Sequence, residues 1–275
     1  MLFDKVKKAR ILLSQKGGKH VFRMMLNYTK SLWKEKIDEV SVISDSLLKR
    51  KEKGVFFDVG AHTGGTLKQF MESSWQVHAF EPDDANREVL EHVYGNKKNL
   101  NIYSFGLGEK DEDELVFYKS NKSSGISSVV NFDSSHEASH TIKLKNLSTV
   151  IDSVEGLPEN GVDFIKIDCE GFDFNVIKGF NWEKHKIPAV LLCEFEDKKT
   201  LHLGYTFKDV SDYLMDKGFQ VYISELHPIV DYGRQHRFNK IKKYPCELDS
   251  DRAWGNILAF SEEDLAKEVF EKLNQ

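Results

Sequence analysis

The sequence is poor in cysteine and has no long apolar run. It holds three cysteines, Cys169, Cys193 and Cys246, with no CxxC pair. These scattered thiols exclude a disulfide scaffold and a cysteine-based zinc site, and they indicate a reducing compartment. The longest apolar runs, such as residues 189–193, are far shorter than the ~20 residues of a membrane-spanning helix. Because the apolar stretch at residues 11–13 is also too short for a signal peptide, we expect a cytoplasmic protein.

The net charge is small, but it is unevenly distributed along the chain. Lys and Arg number 39 and Asp and Glu number 44, which gives −5. Residues 1–50 hold 12 basic and 5 acidic residues, a balance of +7, and residues 51–275 hold 27 and 39, a balance of −12. We therefore predict a basic helical N-terminal arm, residues 1–50, ahead of an acidic main domain, residues 51–275. This acidic domain does not resemble a duplex nucleic-acid binder.

The basic arm has two interpretations. Its first apolar residues recur at helical spacing, with lysines on the remaining surface. Such a helix either attaches to an anionic membrane surface or packs on the main domain or on a second copy of the chain. Its short length favours packing, and we expect a homo-oligomer through the arm ahead of peripheral membrane association.

From Gly54 onward, short apolar runs alternate with helical segments. The apolar runs predict strands at residues 55–59, 76–80, 101–107, 162–167, 187–195, 219–223 and 254–260. Helices are predicted between them, including residues 66–73 and 84–94. This alternation predicts an α/β fold with a parallel sheet and helices on both faces. Residues 120–140 contain eight serines and predict a loop, for which a lid is one interpretation.

A glycine-rich turn follows the first predicted strand and suggests a ligand site. Its sequence runs DVGAHTG from Asp58 to Gly64, and glycine permits both a sharp turn and a close approach of the backbone to a ligand. Glu81 ends the next strand, 81 − 60 = 21 residues after Gly60, which is the spacing of a carboxylate that binds ribose hydroxyls. The pattern G-x-x-x-G lacks the central glycine of a dinucleotide site. S-adenosylmethionine, with an amino group that suits Asp58, is therefore the predicted ligand; the alternative is a turn without a ligand.

Three segments of the sequence resemble the FkbM-type S-adenosylmethionine-dependent methyltransferase family. They are residues 57–64 (FDVGAHTG), 79–82 (AFEP) and 164–179, which begins FIKIDCEGFD. The resemblance implies a Rossmann-like class I methyltransferase with a seven-stranded, mostly parallel sheet, an antiparallel last strand, and methylation of hydroxyl groups. Two positions depart from the family pattern, since His62 stands where Asn is usual and Ser148 where Asp is usual. The predicted cofactor-binding residues are Asp58, Gly60, His62, Gly64 and Glu81.

The chemistry of methyl transfer to an alcohol requires that the acceptor hydroxyl be positioned and deprotonated. The predicted strand at residues 162–167 delivers Asp168 and Glu170 to its carboxyl end, the end that faces the transferable methyl group in this fold. Two carboxylates this close raise the pKa of one of them, which suits a general base. Asp168 and Glu170 are therefore the predicted catalytic residues, with a helix cap and a turn as their alternative roles. His227, just past the sixth strand, is an alternative base.

A divalent cation and the acceptor have candidate residues as well. Asp168 and Glu194 end neighbouring strands, so they are predicted ligands of a cation such as Mg²⁺, which would lower the pKa of an acceptor hydroxyl. Strand-end carboxylates are also commonly just solvated. The stretch at residues 232–244 interleaves five Lys and Arg with Tyr232, Phe238 and Tyr244, which suits an acidic or nucleotide-linked sugar. Single-stranded nucleic acid and a solvated hairpin remain alternatives for this stretch.

These features together predict an O-methyltransferase that acts on a carbohydrate or small-molecule acceptor, such as a sugar, sugar nucleotide or surface glycan. A nicotinamide-dependent Rossmann oxidoreductase is one alternative, although the missing G-x-G-x-x-G motif opposes it. The other alternative is a non-catalytic nucleotide-binding protein.

Overall fold

The computed structural model describes residues 38–155, 157, 161–229 and 236–274. The strands are β1 Val55–Val59, β2 Gln76–Phe80, β3 Leu100–Tyr103, β4 Gly106–Gly108, β5 Glu112–Ser120, β6 His136–Asn146, β7 Phe164–Ile167, β8 Val190–Phe195, β9 Gln220–Leu226, β10 Phe238–Lys243 and β11 Trp254–Phe260. The helices are α1 Glu39–Arg50, α2 Asp84–Tyr94, α3 Leu147–Ser153, α4 Asp173–Lys178, α5 Asp197–Thr200, α6 Phe207–Asp216 and α7 Glu263–Leu273. No described helix is long and apolar enough to cross a bilayer. Most of the predicted basic arm, residues 1–37, lies outside the described residues.

The main sheet has the order β10-β9-β11-β8-β7-β1-β2-β3. The strands from β8 to β3 pair in parallel, and β11 runs antiparallel to both of its neighbours. The predicted parallel sheet with an antiparallel last strand is therefore confirmed, but the predicted count of seven strands is wrong. The eighth strand, β10, pairs antiparallel with β9 at the sheet edge. Its sequence is FNKIKK, and lysine-rich edge strands of this kind lack the apolar run that identifies a buried strand.

Helices cover both faces of the main sheet and bury the central strands completely. Every residue of β1 is buried, which explains why its sequence is apolar apart from one position. Alternate side chains of β1, such as Phe57 and Val59, pack against helices α3, α4 and α6. Phe56 points to the opposite face, where α1, α2 and α7 supply the packing partners.

Helix α1 packs within the main domain. Ile43 and Leu47 of this helix are buried in the core of the second sheet face. Arg50, in its last turn, forms ion pairs with Asp264 (2.5 Å) and Glu268 (2.7 Å) of α7. Residues 39–50 are thus packed against the sheet and the last helix, although the sequence analysis placed them in the arm.

A second sheet of three strands, in the order β4-β6-β5, lies beside the main one. It corrects two predictions, because the strand expected at residues 101–107 is divided between β3 and β4, and β6 begins inside the segment predicted as a loop. The helix predicted at residues 66–73 is also wrong, since only Phe70–Glu72 form a single 3₁₀ turn. Leu67 and Phe70 are both buried at the three-residue spacing of a helical face, although Leu67 lies before the 3₁₀ turn.

Candidate functional site

A cavity of about 1030 Å³ opens at the carboxyl ends of the parallel strands. Ligands bind at this edge in open α/β sheets. One end of the cavity is formed by the turn after β1 and the end of β2, and the other by β11 and the residues around the start of β10. The ends of β7 and β8 lie between them. Residues at the first end include Gly60, His62, Phe80, Glu81 and Leu107, and residues at the second include Leu226, Arg237, Phe238, Trp254 and Asn256.

The glycine turn joins two strand ends. Gly60 has φ +76°, and a Cβ atom there would lie 2.0 Å from the carbonyl oxygen of Asp168. Gly64 has φ +73°, and a Cβ atom there would lie 2.5 Å from Leu90 of α2. Glycine is therefore required at both positions by backbone conformation and by space. The close approach at Gly60 is made by the neighbouring strand end, which brings Asp168 beside the turn.

Glu81 is a buried carboxylate that lines the cavity. The backbone N–H of His62 donates to its Oε2 (2.7 Å), and that of Asp83 donates to its Oε1 (2.9 Å). Burial raises the pKa of Glu81 to about 7, although these two hydrogen bonds lower it. Each oxygen keeps a second lone pair, so this fixed carboxylate can accept hydrogen bonds from ribose hydroxyls.

His62 and the serine-rich segment form one wall of the cavity. His62 has φ +50°, and its Nε2 lies 3.2 Å from the hydroxyl of Ser124. Ser128, farther along the segment, donates to the carbonyl oxygens of Cys169 (3.1 Å) and Glu170 (3.0 Å). The segment predicted as a loop is therefore hydrogen-bonded against the turn after β7 in this structure.

Of the predicted cofactor residues, Gly60, His62 and Glu81 line the cavity, whereas Asp58 and Gly64 do not. Asp58 is fully buried, accepts a hydrogen bond from the Thr66 hydroxyl, and pairs with the ammonium of Lys166 (3.1 Å). The same ammonium donates to the carbonyl oxygen of Gly60 (3.1 Å) and lies 3.4 Å from Asp168 Oδ2. Asp58 and Lys166 thus form a buried ion pair that contacts both Gly60 and Asp168. The contact of Asp58 with the amino group of S-adenosylmethionine stays a prediction.

Three carboxylates meet between the two ends of the cavity. Asp168, Glu170 and Glu194 each place an oxygen within 4.8 Å of the others. The side chain of Asp168 is 42% exposed, whereas those of Glu170 and Glu194 are 14% and 10% exposed. Burial raises the pKa of both glutamates, and negative neighbours raise it further. The structure therefore brings together the predicted catalytic pair and the predicted metal ligands.

Lys199 of α5 belongs to this carboxylate cluster, and the sequence analysis did not identify it. It is 1% exposed, and its ammonium lies 2.5 Å from Glu170, 3.0 Å from Glu194 and 3.1 Å from Glu196. Burial lowers its pKa, but these three carboxylates outweigh burial and raise it. The sequence carries a partial signal, since Glu196 and Lys199 are three residues apart and form an i,i+3 pair.

The carboxylate cluster also fits a divalent cation by its donor type. Carboxylate oxygens are the ligands that Mg²⁺ prefers, and Asp168 and Glu194 were the predicted pair. Glu170 joins them in the structure. Since Lys199 already contacts two of these three carboxylates, a cation would share them with its ammonium.

His227 is separated from this cluster. It is not among the described residues that line the cavity. Its backbone N–H donates to Arg237 (2.9 Å), and its carbonyl oxygen accepts from the Trp254 indole (3.0 Å). These contacts give His227 a backbone role in holding Trp254 at the cavity, and the base role predicted for its side chain has no support from this placement.

The second end of the cavity carries part of the predicted acceptor stretch. Arg237 and Phe238 line it together with Trp254, whose indole makes an edge contact with His236 (4.4 Å between ring centroids). Tyr244 does not reach the cavity, because it is buried and its hydroxyl donates to Asp212 (2.6 Å). Residues 230–235, which include Tyr232, lie outside the described residues.

The chain is similar to known methyltransferases. A family model described as the methyltransferase FkbM domain matches residues 58–221. A search of curated proteins found no match. Solved structures with a similar fold include a protein from Streptococcus mutans described as a methyltransferase and solved with SAH, at 11% identity and TM-score 0.44, covering 82% of this chain and 98% of that one. Another is precorrin-6y C5,15-methyltransferase from Geobacter metallireducens, at 12% identity and TM-score 0.41, covering 80% and 87%.

The family match and the geometry of the site agree. The matched region begins at Asp58 and contains the glycine turn, Glu81 and the carboxylate cluster. The matches to solved structures are too distant to indicate a reaction or an acceptor, so the assignment depends on the domain model, which spans more than half of the chain. The chain therefore belongs to the FkbM methyltransferase family, for which S-adenosylmethionine is the implied methyl donor.

Proposed function

We propose that the protein transfers a methyl group from S-adenosylmethionine to a hydroxyl of a carbohydrate acceptor. The observation that carries this proposal is the position of Asp168 within one continuous cavity. On one side of Asp168 lies the end of the cavity that contains Glu81 and suits a nucleoside. On the other side lies the end that contains the aromatic Trp254 and the basic Arg237. A donor and an acceptor bound at the two ends would meet at Asp168.

The cofactor end fits the donor through residues of this chain. Glu81 is fixed by two backbone N–H groups and suits the ribose hydroxyls, while Phe80 and Leu107 offer apolar surface for a base. The bound donor supplies an electrophilic methyl group on a sulfonium. The protein's contribution is to orient this group and to exclude competing nucleophiles from the cavity.

Asp168 is the proposed general base. Methyl transfer forms a carbon–oxygen bond at the acceptor, breaks the methyl–sulfur bond, and leaves a neutral thioether. The hydroxyl proton passes to the carboxylate of Asp168 and then to water. Asp168 suits this role better than Glu170 or Glu194, because its side chain is the most exposed of the three and is not bound by Lys199. Lys166, 3.4 Å away, holds it in place.

The acceptor end supports a sugar as the acceptor class. Trp254 and Phe238 line it, and aromatic faces of this kind stack on sugar rings. Arg237 adds a guanidinium that no described carboxylate pairs with, so it is available for a carboxylate or phosphate on the acceptor. An acidic or nucleotide-linked sugar fits this combination.

A divalent cation at Asp168, Glu170 and Glu194 is a separate part of the proposal. Such an ion would lower the pKa of the acceptor hydroxyl. Dialysis against EDTA followed by addition of Mg²⁺ tests it, because restored turnover would support the cation and unchanged turnover without metal would refute it.

The proposed reaction is tested by binding and by turnover. Calorimetry with S-adenosylmethionine and with NAD should show binding of the first, and binding of NAD alone would refute the proposal. Methyl-labelled donor incubated with sugar and glycan fractions, followed by mass spectrometry, should place the label on a hydroxyl oxygen.

The role of Asp168 is tested by Asp168→Asn. We expect kcat to fall by roughly 10²–10⁴-fold with donor affinity retained, since only the proton acceptor is lost. The exposed Asp216→Asn is the matched control and should behave as wild type. Unchanged turnover of Asp168→Asn would remove this residue from the mechanism.

A further inference from the structure

Helix α1 brings a carboxylate to the acceptor end of the cavity. Glu39, its first residue, lines the cavity although it is only 9% exposed. Its Oε1 accepts a hydrogen bond from the hydroxyl of Ser224 (2.5 Å). Within the described ranges, no Lys, Arg or His nitrogen lies within 4.0 Å of this carboxylate. Glu39 is therefore a buried charge with one neutral partner and a second oxygen left for a ligand.

Sheet register connects Glu39 to the proposed base. Glu194 of β8 pairs with Asn256 of β11, and Asn256 pairs with Ser224 of β9. Directly paired residues project from the same face of a sheet, so these side chains form one row. Asp168 extends the row at the β7 side, because Ile167 pairs with Cys193 immediately before Glu194.

The row runs along the face that α1 covers, and Glu39 ends it. Ile43 and Leu47 of α1 pack on this face with Phe56 of β1, one turn and two turns beyond Glu39. Asp168, Glu194, Asn256 and Glu39 all line the same cavity. If the reacting hydroxyl of a sugar acceptor lies next to Asp168, the rest of the sugar ring would lie beside Glu194 and Asn256 and extend toward Glu39.

We propose that Glu39 binds hydroxyl groups of the acceptor sugar and thereby selects which hydroxyl reaches Asp168; this inference rests on the proposed function. A buried carboxylate without a cation is stabilised by strong hydrogen-bond donors, and adjacent sugar hydroxyls supply two of them. The same negative charge repels an anionic group, which is directed instead toward Arg237 at the rim.

A purely structural role for Glu39 gives a different expectation. A negative side chain in the first turn of a helix interacts favourably with the helix dipole and so stabilises α1. The hydrogen bond from Ser224 also connects α1 to β9. Loss of that role would lower the melting temperature and leave sugar affinity unchanged. Loss of the proposed role would weaken sugar binding in a protein that remains folded.

The test compares Glu39→Gln with Glu72→Gln, a surface variant at an exposed position. A panel of methyl glycosides is screened by saturation-transfer NMR against the full chain loaded with S-adenosylhomocysteine, and the binders are titrated. We expect Glu39→Gln to weaken the affinity for the sugar roughly 10–100-fold, while the affinity for S-adenosylhomocysteine and the melting temperature stay unchanged. In turnover, KM for the acceptor should rise much more than kcat falls.

The outcomes separate this inference from the proposed function. If wild type binds and methylates a sugar and Glu39→Gln matches Glu72→Gln, the role of Glu39 is refuted while the proposed function stands. If no glycoside binds to the protein in the presence of S-adenosylhomocysteine, the role of Glu39 is refuted in that case too. If Glu39→Gln unfolds, Glu39→Asp, which withdraws the carboxylate by one methylene, serves in its place, and a sugar affinity equal to wild type in that folded variant would overturn the inference.

Discussion

Replacement of Lys199 by Met removes the ammonium that contacts Glu170, Glu194 and Glu196. Methionine fills a similar volume, so the change is chiefly one of charge. Breaking a buried ion pair by removal of one partner costs about 3–5 kcal/mol, because the other charge stays buried without compensation. Three carboxylates lose their partner here, and a domain has only about 5–15 kcal/mol of stability in total. We therefore expect a loss of at least ~3 kcal/mol near pH 8.

The loss should depend on pH, and its sign follows from the carboxylates. Lys199 lowers the pKa of Glu170 and Glu194, which burial already raises, so its removal raises both further. In the unfolded chain these groups titrate near pH ~4.3. Between that pH and the raised pKa of the folded state, the folded variant binds more protons than the unfolded chain, and its free energy of unfolding falls as pH rises. The variant should be closest to wild type near pH 5.

Urea unfolding monitored by tryptophan fluorescence at pH 5 and pH 8 measures both effects. The control is Lys198→Met, because Lys198 is the exposed neighbour in the same helix and should change stability by no more than ~0.5 kcal/mol. A loss for Lys199→Met that equals that of the control, or that is the same at both pH values, would refute the assignment of Lys199 as the counter-charge of the cluster.

Three further predictions concern the cofactor end and the cluster. Glu81→Gln should weaken S-adenosylmethionine binding roughly 10–100-fold, and wild-type affinity should rise through pH ~7 as Glu81 loses its proton; calorimetry from pH 6 to 8 that shows no such rise would contradict this. Gly60→Ala should lower the melting temperature more than Gly204→Ala, because both glycines have positive φ but only Gly60 lacks space for a Cβ; equal losses in calorimetric scans would contradict it. Lys199→Met should gain more thermal stability from Mg²⁺ than wild type does, and equal gains would argue against a cation at these carboxylates.

The sequence predicted the centre of the fold better than its edges. The bounds of β1, β2 and β11 were predicted correctly, because strands buried on both faces carry continuous apolar runs. Strand β10 was missed, since its lysines are stabilised by acidic partners that are distant in sequence, such as Glu225 for Lys242 (2.5 Å). A local pattern contains no information on such pairs.

In the site, too, residues at a regular sequence spacing were predicted, and contacts between residues distant in sequence were not. Glu81 was found from its spacing after Gly60, and the structure places it in the cavity with both oxygens fixed. The predicted contact of Asp58 with the cofactor stays a prediction, and the structure adds a partner that the sequence did not reveal, because the ammonium of Lys166 on β7 pairs with Asp58. Lys199 was not recognised because its contacts with Glu170 and Glu194 form only when α5 lies against the ends of β7 and β8.

Cys169, which lies between Asp168 and Glu170 and lines the cavity, has a consequence for thiol chemistry. Burial raises its pKa well above the usual value, and the neighbouring Asp173 and Asp168 raise it further. The thiolate is the form that reacts with alkylating reagents and oxidants, so this thiol should be nearly inert in the native protein. Alkylation of Cys169 should therefore be slow in the folded protein and should become fast when the protein is unfolded, so that this thiol reports the integrity of the site without any engineered label.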